Sequence, residues 1–514
     1  MRIASEALPG SFSGVGVFID AGSRYEDASI RGVSHIMDRL AFRSTLRHTS
    51  DEMLERIEML GGNVQCASSR EAMMYQAATF NSGVDSALGL IAETVREPKI
   101  THSEIRSQID TASYELTEIW AKPEMILPEL VHSAAFKDNT LGNPLLCPKE
   151  RLMFIGADAI QTYRERFYRP ERIVIAFAGV DHETAVKLSE RYFGDMTASK
   201  EPLLSKTGSE TSLDTLSSIP SEVSDSQWSQ ISASSNLSPK STLSALSKIP
   251  FFKSLSTSAP TRASVSEPIL PQDVFQKAQY TGGFLTLPPQ ENPNPQLPAF
   301  SHIHLAFKGL PIISDDIYAL TTLQFLLGGG GSFSAGGPGK GMYSRLYTNV
   351  LNQHAWVESC VGFSHPYTDS GLFGISASCT PGRTSQMLDV MCRELRSLTL
   401  DTGFSALREA EVQRAKNQLR SSLLMNLESR MMELEDLGRQ VMIHGRKVPV
   451  REMCDRIDAL TVQDLRRVAK VVLSGHIGRS APTVVLQEAP GSNGGLKDWA
   501  HIQEIISGWG LGRR

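Results

Sequence analysis

A chain of 514 residues is too long for one hydrophobic core, so two to four domains are expected. Its 41% hydrophobic and 21% charged content is that of an ordinary globular protein, and no apolar run reaches the length of a membrane span. A net charge of -5 with no basic stripe argues against nucleic acid as the main partner.

The first segment, residues 1–196, reads as one α+β unit. Its start, Met1-Arg-Ile-Ala-Ser-Glu-Ala-Leu, has the pattern of neither a signal peptide nor an Arg-rich transit peptide, which suits a processed chain as well as a cytosolic one. Val15-Gly-Val-Phe-Ile-Asp-Ala-Gly is a strand running into a turn, and Ser34 to Ala41 a helix with Ser34 as its N-cap. The helical spacing of Asp51-Glu-Met-Leu-Glu-Arg-Ile-Glu-Met-Leu ends at Gly61-Gly62, a C-cap signal. Val64 to Ser69 and Met73 to Phe80 follow as an antiparallel strand pair. Helices are expected over Val84 to Val95 and from Thr101, where Thr101 and Glu104 form a capping box, to Trp120. Arg172 to Gly179 is a buried-type strand, and Glu183 to Phe193 a closing helix.

Between residues 197 and 276 the texture changes: Ser and Thr dominate, aromatics are scarce and no period persists, which predicts a disordered insert or linker. Trp228 and Phe251-Phe252 are the aromatic residues between positions 197 and 266, its large apolar anchors. Residues 277–514 then repeat the first outline. His302-Ile-His-Leu-Ala-Phe-Lys matches Val15 to Asp20, and the helix Asp315 to Leu327 matches Ser34 to Ala41. The strand pair Val357 to Phe363 and Gly371 to Cys379 matches Val64 to Phe80. Helices Gln386 to Leu398 and Ala406 to Leu427 match Val84 to Val95 and Thr101 to Trp120, and Pro482 to Leu486 matches the last strand. The fold class is therefore α+β, with two homologous domains joined by the Ser-rich insert.

A glycine-rich run interrupts the second repeat: Gly328, Gly329, Gly330, Gly331, Ser332, Phe333, Ser334, Ala335, Gly336, Gly337, Pro338, Gly339, Lys340 and Gly341. Such a run can continue neither flanking helix, and ordering glycine carries the largest backbone-entropy cost. A phosphate cradle fails on spacing, because Ser334 stands where the first Walker glycine belongs and Gly341 where Ser or Thr should follow Lys340. Nor does a Gly-x-Gly-x-x-Gly follow a strand. A polypeptide-binding or gating loop and an ordinary solvent loop both remain open on composition.

Other chemistry-bearing residues are sparser. Cys66, Cys147, Cys360, Cys379, Cys392 and Cys454 form no Cys-x-x-Cys pair, which predicts free thiols in a reducing compartment. His302 and His304 share one face of a strand, but no Asp, Glu or Cys lies close enough in sequence to complete a metal site. Glu428, Glu433, Glu435 and Asp436 gather on one helix, Met425 to Leu437, as a solvated face or, if they line a cavity, as an attractor of basic peptide.

The motif Gly32-Val-Ser-His-Ile-Met-Asp-Arg-Leu-Ala-Phe resembles the inverted zinc motif His-x-x-Glu-His of the pitrilysin-type metallopeptidases. Leu60-Gly-Gly-Asn-Val-Gln-Cys-Ala-Ser-Ser-Arg-Glu71 resembles that family's helix-to-strand segment, and the twofold repeat resembles its architecture. The resemblance places His35 as first ligand and Glu115 as third. Asp38 stands at the catalytic glutamate position, one methylene shorter, and Arg39 at the second histidine. A guanidinium has no lone pair for a metal and its charge repels Zn2+. Two ligands do not hold catalytic zinc, so no metal, no bound cofactor and no catalysis by this chain alone are expected, with Arg39 pairing Asp38 or Glu115.

Within the family, Tyr114-Glu-Leu-Thr-Glu-Ile-Trp-Ala-Lys-Pro-Glu124 and the glycine run leading to Met342-Tyr-Ser-Arg-Leu-Tyr resemble the noncatalytic subunits. The resemblance implies a heterodimer with a catalytic beta subunit that holds the zinc. It also implies recognition of the N-terminal presequences of mitochondrial precursor proteins, and location in the mitochondrial matrix. The glycine-rich residues would bind or gate substrate, with Phe333 as an apolar contact. A structural core subunit of the respiratory bc1 complex is the alternative with the same fold. The chain also starts inside the family's usual first strand, without its Asn-Gly turn, which leaves the stability of the first sheet edge open.

Overall fold

The computed structural model describes residues 1–137, 139–196, 276–290, 298–331, 342–474, 481–492, 496 and 498–512. The first half runs β1 (Arg2–Glu6), β2 (Phe12–Ile19), α1 (Val33–Leu40), α2 (Ser50–Met59), β3 (Asn63–Ser68) and β4 (Met73–Phe80). It continues with α3 (Val84–Arg96), α4 (His102–Trp120), α5 (Pro123–Phe136), α6 (Ala157–Phe167), β5 (Ile173–Ala178) and α7 (His182–Phe193). The second half runs β6 (Gly283–Leu287), β7 (Ser301–Lys308), α8 (Ile317–Leu327), β8 (Gly329–Gly331), β9 (Val357–Pro366) and β10 (Gly371–Cys379). Then come α9 (Thr384–Ser397), α10 (Glu409–Leu427), α11 (Arg430–His444), α12 (Val450–Asp458), α13 (Val462–Leu473), β11 (Thr483–Gln487) and α14 (Trp499–Gly508).

The repeat expected from the sequence is visible in the sheets. Their strand orders are β1-β5-β2-β4-β3 and β6-β11-β7-β10-β9-β8, so five strands correspond one to one and, among the described residues, β8 has no counterpart. In each sheet the first strand pairs parallel and the rest antiparallel. β1 pairs with β5 along its whole length, so the first sheet edge is well made. Arg2 also donates to the carbonyls of Val441 and Met442 at the end of α11, at 2.8 and 3.2 Å.

Each sheet lays one face on its own helices and the other on a helix lent by the opposite half. α5 packs on β6, β7 and β11 of the second sheet, and α11 on β1, β2, β4 and β5 of the first. Leu434, Leu437 and Val441 of α11 close a core with Phe18, Met74, Val174 and Ala176. Leu127, Leu130 and Val131 of α5 share a buried cluster with Ala306, Leu372 and Val485. The two halves accordingly form one compact unit.

Local signals explain the helix ends. Thr49 with Glu52 and Thr101 with Glu104 make full capping boxes, and Gly61 takes the left-handed conformation after α2 with φ +59°. Ser34 is not a cap: α1 starts at Val33, and Gly32 precedes it with φ +86°. The cap comes from Glu26, whose carboxylate accepts from the amides of Gly32 and Ser34, both at 2.7 Å. The expected helix through the acidic cluster is two helices, α10 and α11, separated by Glu428-Ser429. The cluster is no solvated face either. Glu433 is buried in an ion pair with Lys447, Asp436 accepts from Gln440 and Glu435 pairs with Arg439, leaving Glu428 exposed. The Ser-rich segment, with Trp228 and Phe251-Phe252, lies outside the described residues. None of the six cysteines is in a disulfide.

Candidate functional site

α1 and α4 pack together, and their facing turns bring three of the sequence-selected residues into contact. Arg39 donates to Glu115 at 2.5 Å, and Nε2 of His35 lies 3.7 Å from the other carboxylate oxygen of Glu115. Asp38 turns away toward β3, where one of its oxygens accepts from both the amide and the hydroxyl of Ser68 at 3.1 Å. Of the two partners expected for Arg39, Glu115 is the one in contact.

The electrostatics follow from this placement. Burial would raise the Glu115 carboxyl, but the neighbouring His35 ring and the Arg39 guanidinium together hold it below its ordinary value. Burial pushes the Asp38 carboxyl up, against the opposing pull of Arg39 and the Ser68 amide. On its other side His35 accepts the Cys147 amide through Nδ1 at 3.2 Å, which leaves Nε2 carrying the ring proton.

Zinc does not fit this donor set. The histidine nitrogen that faces Glu115 carries a proton, the second ligand position is a cation, and the carboxylate that would bind metal is already ion-paired. Among the described residues no group of three or more His, Cys, Asp or Glu is placed to hold a metal ion. His302 and His304 lie on β7 as expected, beneath α5. Burial pushes the His304 imidazole down to about 3, and the His304 ring lies 6.3 Å from that of Phe363.

The glycine-rich residues divide. Gly328 ends α8 with φ +54°, and Gly329, Gly330 and Gly331 form β8, pairing with Val361, Cys360 and Ser359 of β9. A side chain is excluded at two of them: a Cβ on Gly328 would strike the Ser344 Cβ at 2.4 Å, and one on Gly329 the Cys360 carbonyl oxygen at 1.9 Å. Ser332, Phe333, Ser334, Ala335, Gly336, Gly337, Pro338, Gly339, Lys340 and Gly341 lie outside the described residues. β8 escapes sequence reasoning because consecutive glycines have the weakest strand signal.

Comparison with known proteins decides the family. A family model described as Insulinase (Peptidase family M16) matches residues 2–149, and one described as Peptidase M16 inactive domain matches residues 155–419. The chain belongs to peptidase family M16. A Neurospora crassa protein named mitochondrial-processing peptidase subunit alpha is 66% identical over 526 residues, covering 100% of this chain and 90% of its own. A Schizosaccharomyces pombe protein named probable mitochondrial-processing peptidase subunit alpha is 43% identical, covering 93% of this chain and 82% of its own. The Homo sapiens mitochondrial-processing peptidase subunit alpha is 32% identical, covering 99% and 83%. A chain of complex III2 from Candida albicans superimposes with a TM-score of 0.67 at 18% identity, covering 98% of this chain and 97% of that one, and shows the shared fold.

Proposed function

We propose that this chain is the noncatalytic, substrate-recognising alpha subunit of a mitochondrial processing peptidase. It pairs with a catalytic beta subunit whose zinc removes N-terminal presequences from imported precursor proteins in the matrix. The observation that carries the noncatalytic half of this reading is the Arg39 guanidinium bound to Glu115, because it puts a permanent cation where a metal ligand belongs. The names of the Neurospora crassa and Schizosaccharomyces pombe relatives support the assembly and its location. A core subunit of the respiratory bc1 complex remains the alternative with the same fold, but the 18% identity of the Candida albicans chain carries a fold and no function.

The glycine-rich segment is the part of the chain given to substrate, since its first residues form a strand with no counterpart in the other half. The test is cleavage of a presequence-bearing precursor by the full chain alone, by a beta subunit alone and by the two together. Cleavage by the pair and by neither alone is expected. Cleavage by this chain alone overturns the noncatalytic assignment, and a pair no faster than the beta subunit alone overturns substrate recognition.

A further inference from the structure

The clasp of α5 on the second sheet encloses a chain of histidines. His302 and His304 lie on β7, His365 near the end of β9, and His132 on α5. His304 and His132 are buried, His302 and His365 half-buried. The rings follow one another across the sheet. His304 lies 6.3 Å from Phe363 between ring centroids, Phe363 stacks on His365 at 5.2 Å, and His365 lies 5.3 Å from His132. Tyr367, in the turn after β9, meets the His132 ring edge-on at 5.7 Å. His302 joins from two residues before His304, on the same face of β7.

Hydrogen bonding fixes the centre of this chain as neutral. The Pro128 carbonyl accepts the His132 Nδ1 proton at 2.9 Å, so Nε2 keeps its lone pair and accepts the Tyr367 hydroxyl at 2.7 Å. A further proton would have to sit on Nε2, against a hydroxyl that already donates there. The surrounding charges oppose it. Buried Arg70 acts on both His132 and His365, and Glu129 is already paired with that guanidinium. Lys308 shares a register row with His365 through Leu372. Glu71 and Asp369 are held by Arg24. Glu124, exposed at the start of α5, favours a proton on His302 at the half-buried end of the chain. Burial first, then Arg70 and the neighbouring rings, holds His132, His365 and His304 below their ordinary value, the last two at about 4 and about 3.

We propose that this seam is an acid-operated latch between the halves: protonation of the histidine chain frees α5 from the second sheet while the helices on the opposite face stay in place. α5 is suited to release. Pro128 removes a backbone N–H from its middle, so the helix holds through packing on β6, β7 and β11 more than through its own ladder. The opened seam binds protons that the closed one does not, so closure is complete above about pH 6.5 and is lost as pH falls toward 4. The full grip between the halves belongs to neutral and alkaline solution.

Amide exchange on the full chain tests it, with protection factors compared at pH 7.5 and 5.5. Each imidazole that titrates near 6.5 when open and near 4 or below when closed weakens closure about tenfold at pH 5.5. His304 and His365 together should lower the protection of α5 about a hundredfold on acidification. At pH 5.5, α5 should then be at least tenfold less protected than α3 and α9. Equal protection of the three helices at that pH overturns the latch, because acid then loosens the chain as a whole. So does an α5 whose protection does not change. His304→Phe with His365→Phe keeps rings against Phe363 and removes two protonation sites, so its acid loss should shrink at least tenfold. A loss as large as in the unsubstituted chain overturns the histidines' part in it. If the double variant does not fold, His365→Phe alone, at a half-buried position, is read the same way, with a severalfold smaller loss expected.

Discussion

Glu26 is a carboxylate sealed from solvent, and its two oxygens hold the Gly32 and Ser34 amides at the start of α1. Burial pushes its pKa up to about 7, against the downward pull of those two amides. The folded value lies above the unfolded one, so between roughly pH 4.5 and 7 the folded state holds a proton that the unfolded state has released. Stability therefore falls as pH rises through that window, by on the order of 3 kcal/mol at about 1.4 kcal/mol per unit. Glu26→Gln removes the titration, but its single acceptor oxygen can serve only one of the two amides, a loss of about 1–2 kcal/mol. The wild type's advantage in melting temperature should shrink from pH 5 and reverse before pH 8, because only the wild type loses the Glu26 contribution. Parallel curves would show that Glu26 is not protonated in the fold. The cluster of His35, Arg39 and Glu115, with Asp38 beside it, is legible at this same scale, since all four are picked out by motif position. The Glu26 cap is not, because it reaches the helix from outside the few residues where capping patterns operate.

Helices exchanged between the halves depend on close approach, and α11 makes the closest. A Cβ on Gly438 would meet the Phe18 ring carbons at 2.3 to 2.5 Å, far inside contact. Gly438→Ala should therefore destabilise the chain by about 1–3 kcal/mol despite alanine's better helix propensity, as overpacking does elsewhere. Adding Phe18→Leu should return part of the loss. Urea midpoints measure both, and an unchanged midpoint for Gly438→Ala would mean α11 does not sit against β2 as described. This exchange is the part of the fold that sequence reading does not reach. α5 carries a proline at Pro128 inside it, which argues against a helix, and nothing in its pattern says that it covers the other half's sheet. The acidic cluster on α11 reads as solvated because the partner that buries Glu433, Lys447, lies outside the spacing at which residues of one helix meet. Strands β3, β4, β9 and β10 are legible by contrast, since short alternating runs between turns report their own pairing.

Across the whole molecule, one contact between the halves is a charged socket. The turn between β9 and β10 enters the first half, where buried Arg24 grips Asp369 through two bonds at 2.8 and 3.1 Å and donates to Thr368 at 3.0 Å. Glu71 closes the ring, pairing with Arg24 and accepting the Thr368 amide at 3.1 Å. Beside it Arg70 pairs with Glu129 of α5, and the Tyr367 hydroxyl donates to His132 at 2.7 Å. Arg24→Met would leave the half-buried carboxylates of Glu71 and Asp369 without their shared cation, a loss of about 3–5 kcal/mol. Arg24→Met with Glu71→Gln and Asp369→Asn removes the repulsion while keeping acceptors for the Thr368 and Ala278 amides, so the triple variant should lose less than the single one. That ordering distinguishes a charge balance from a packing contact. Urea denaturation of the three proteins decides it: a triple variant as unstable as Arg24→Met would show that the socket holds the halves by shape alone.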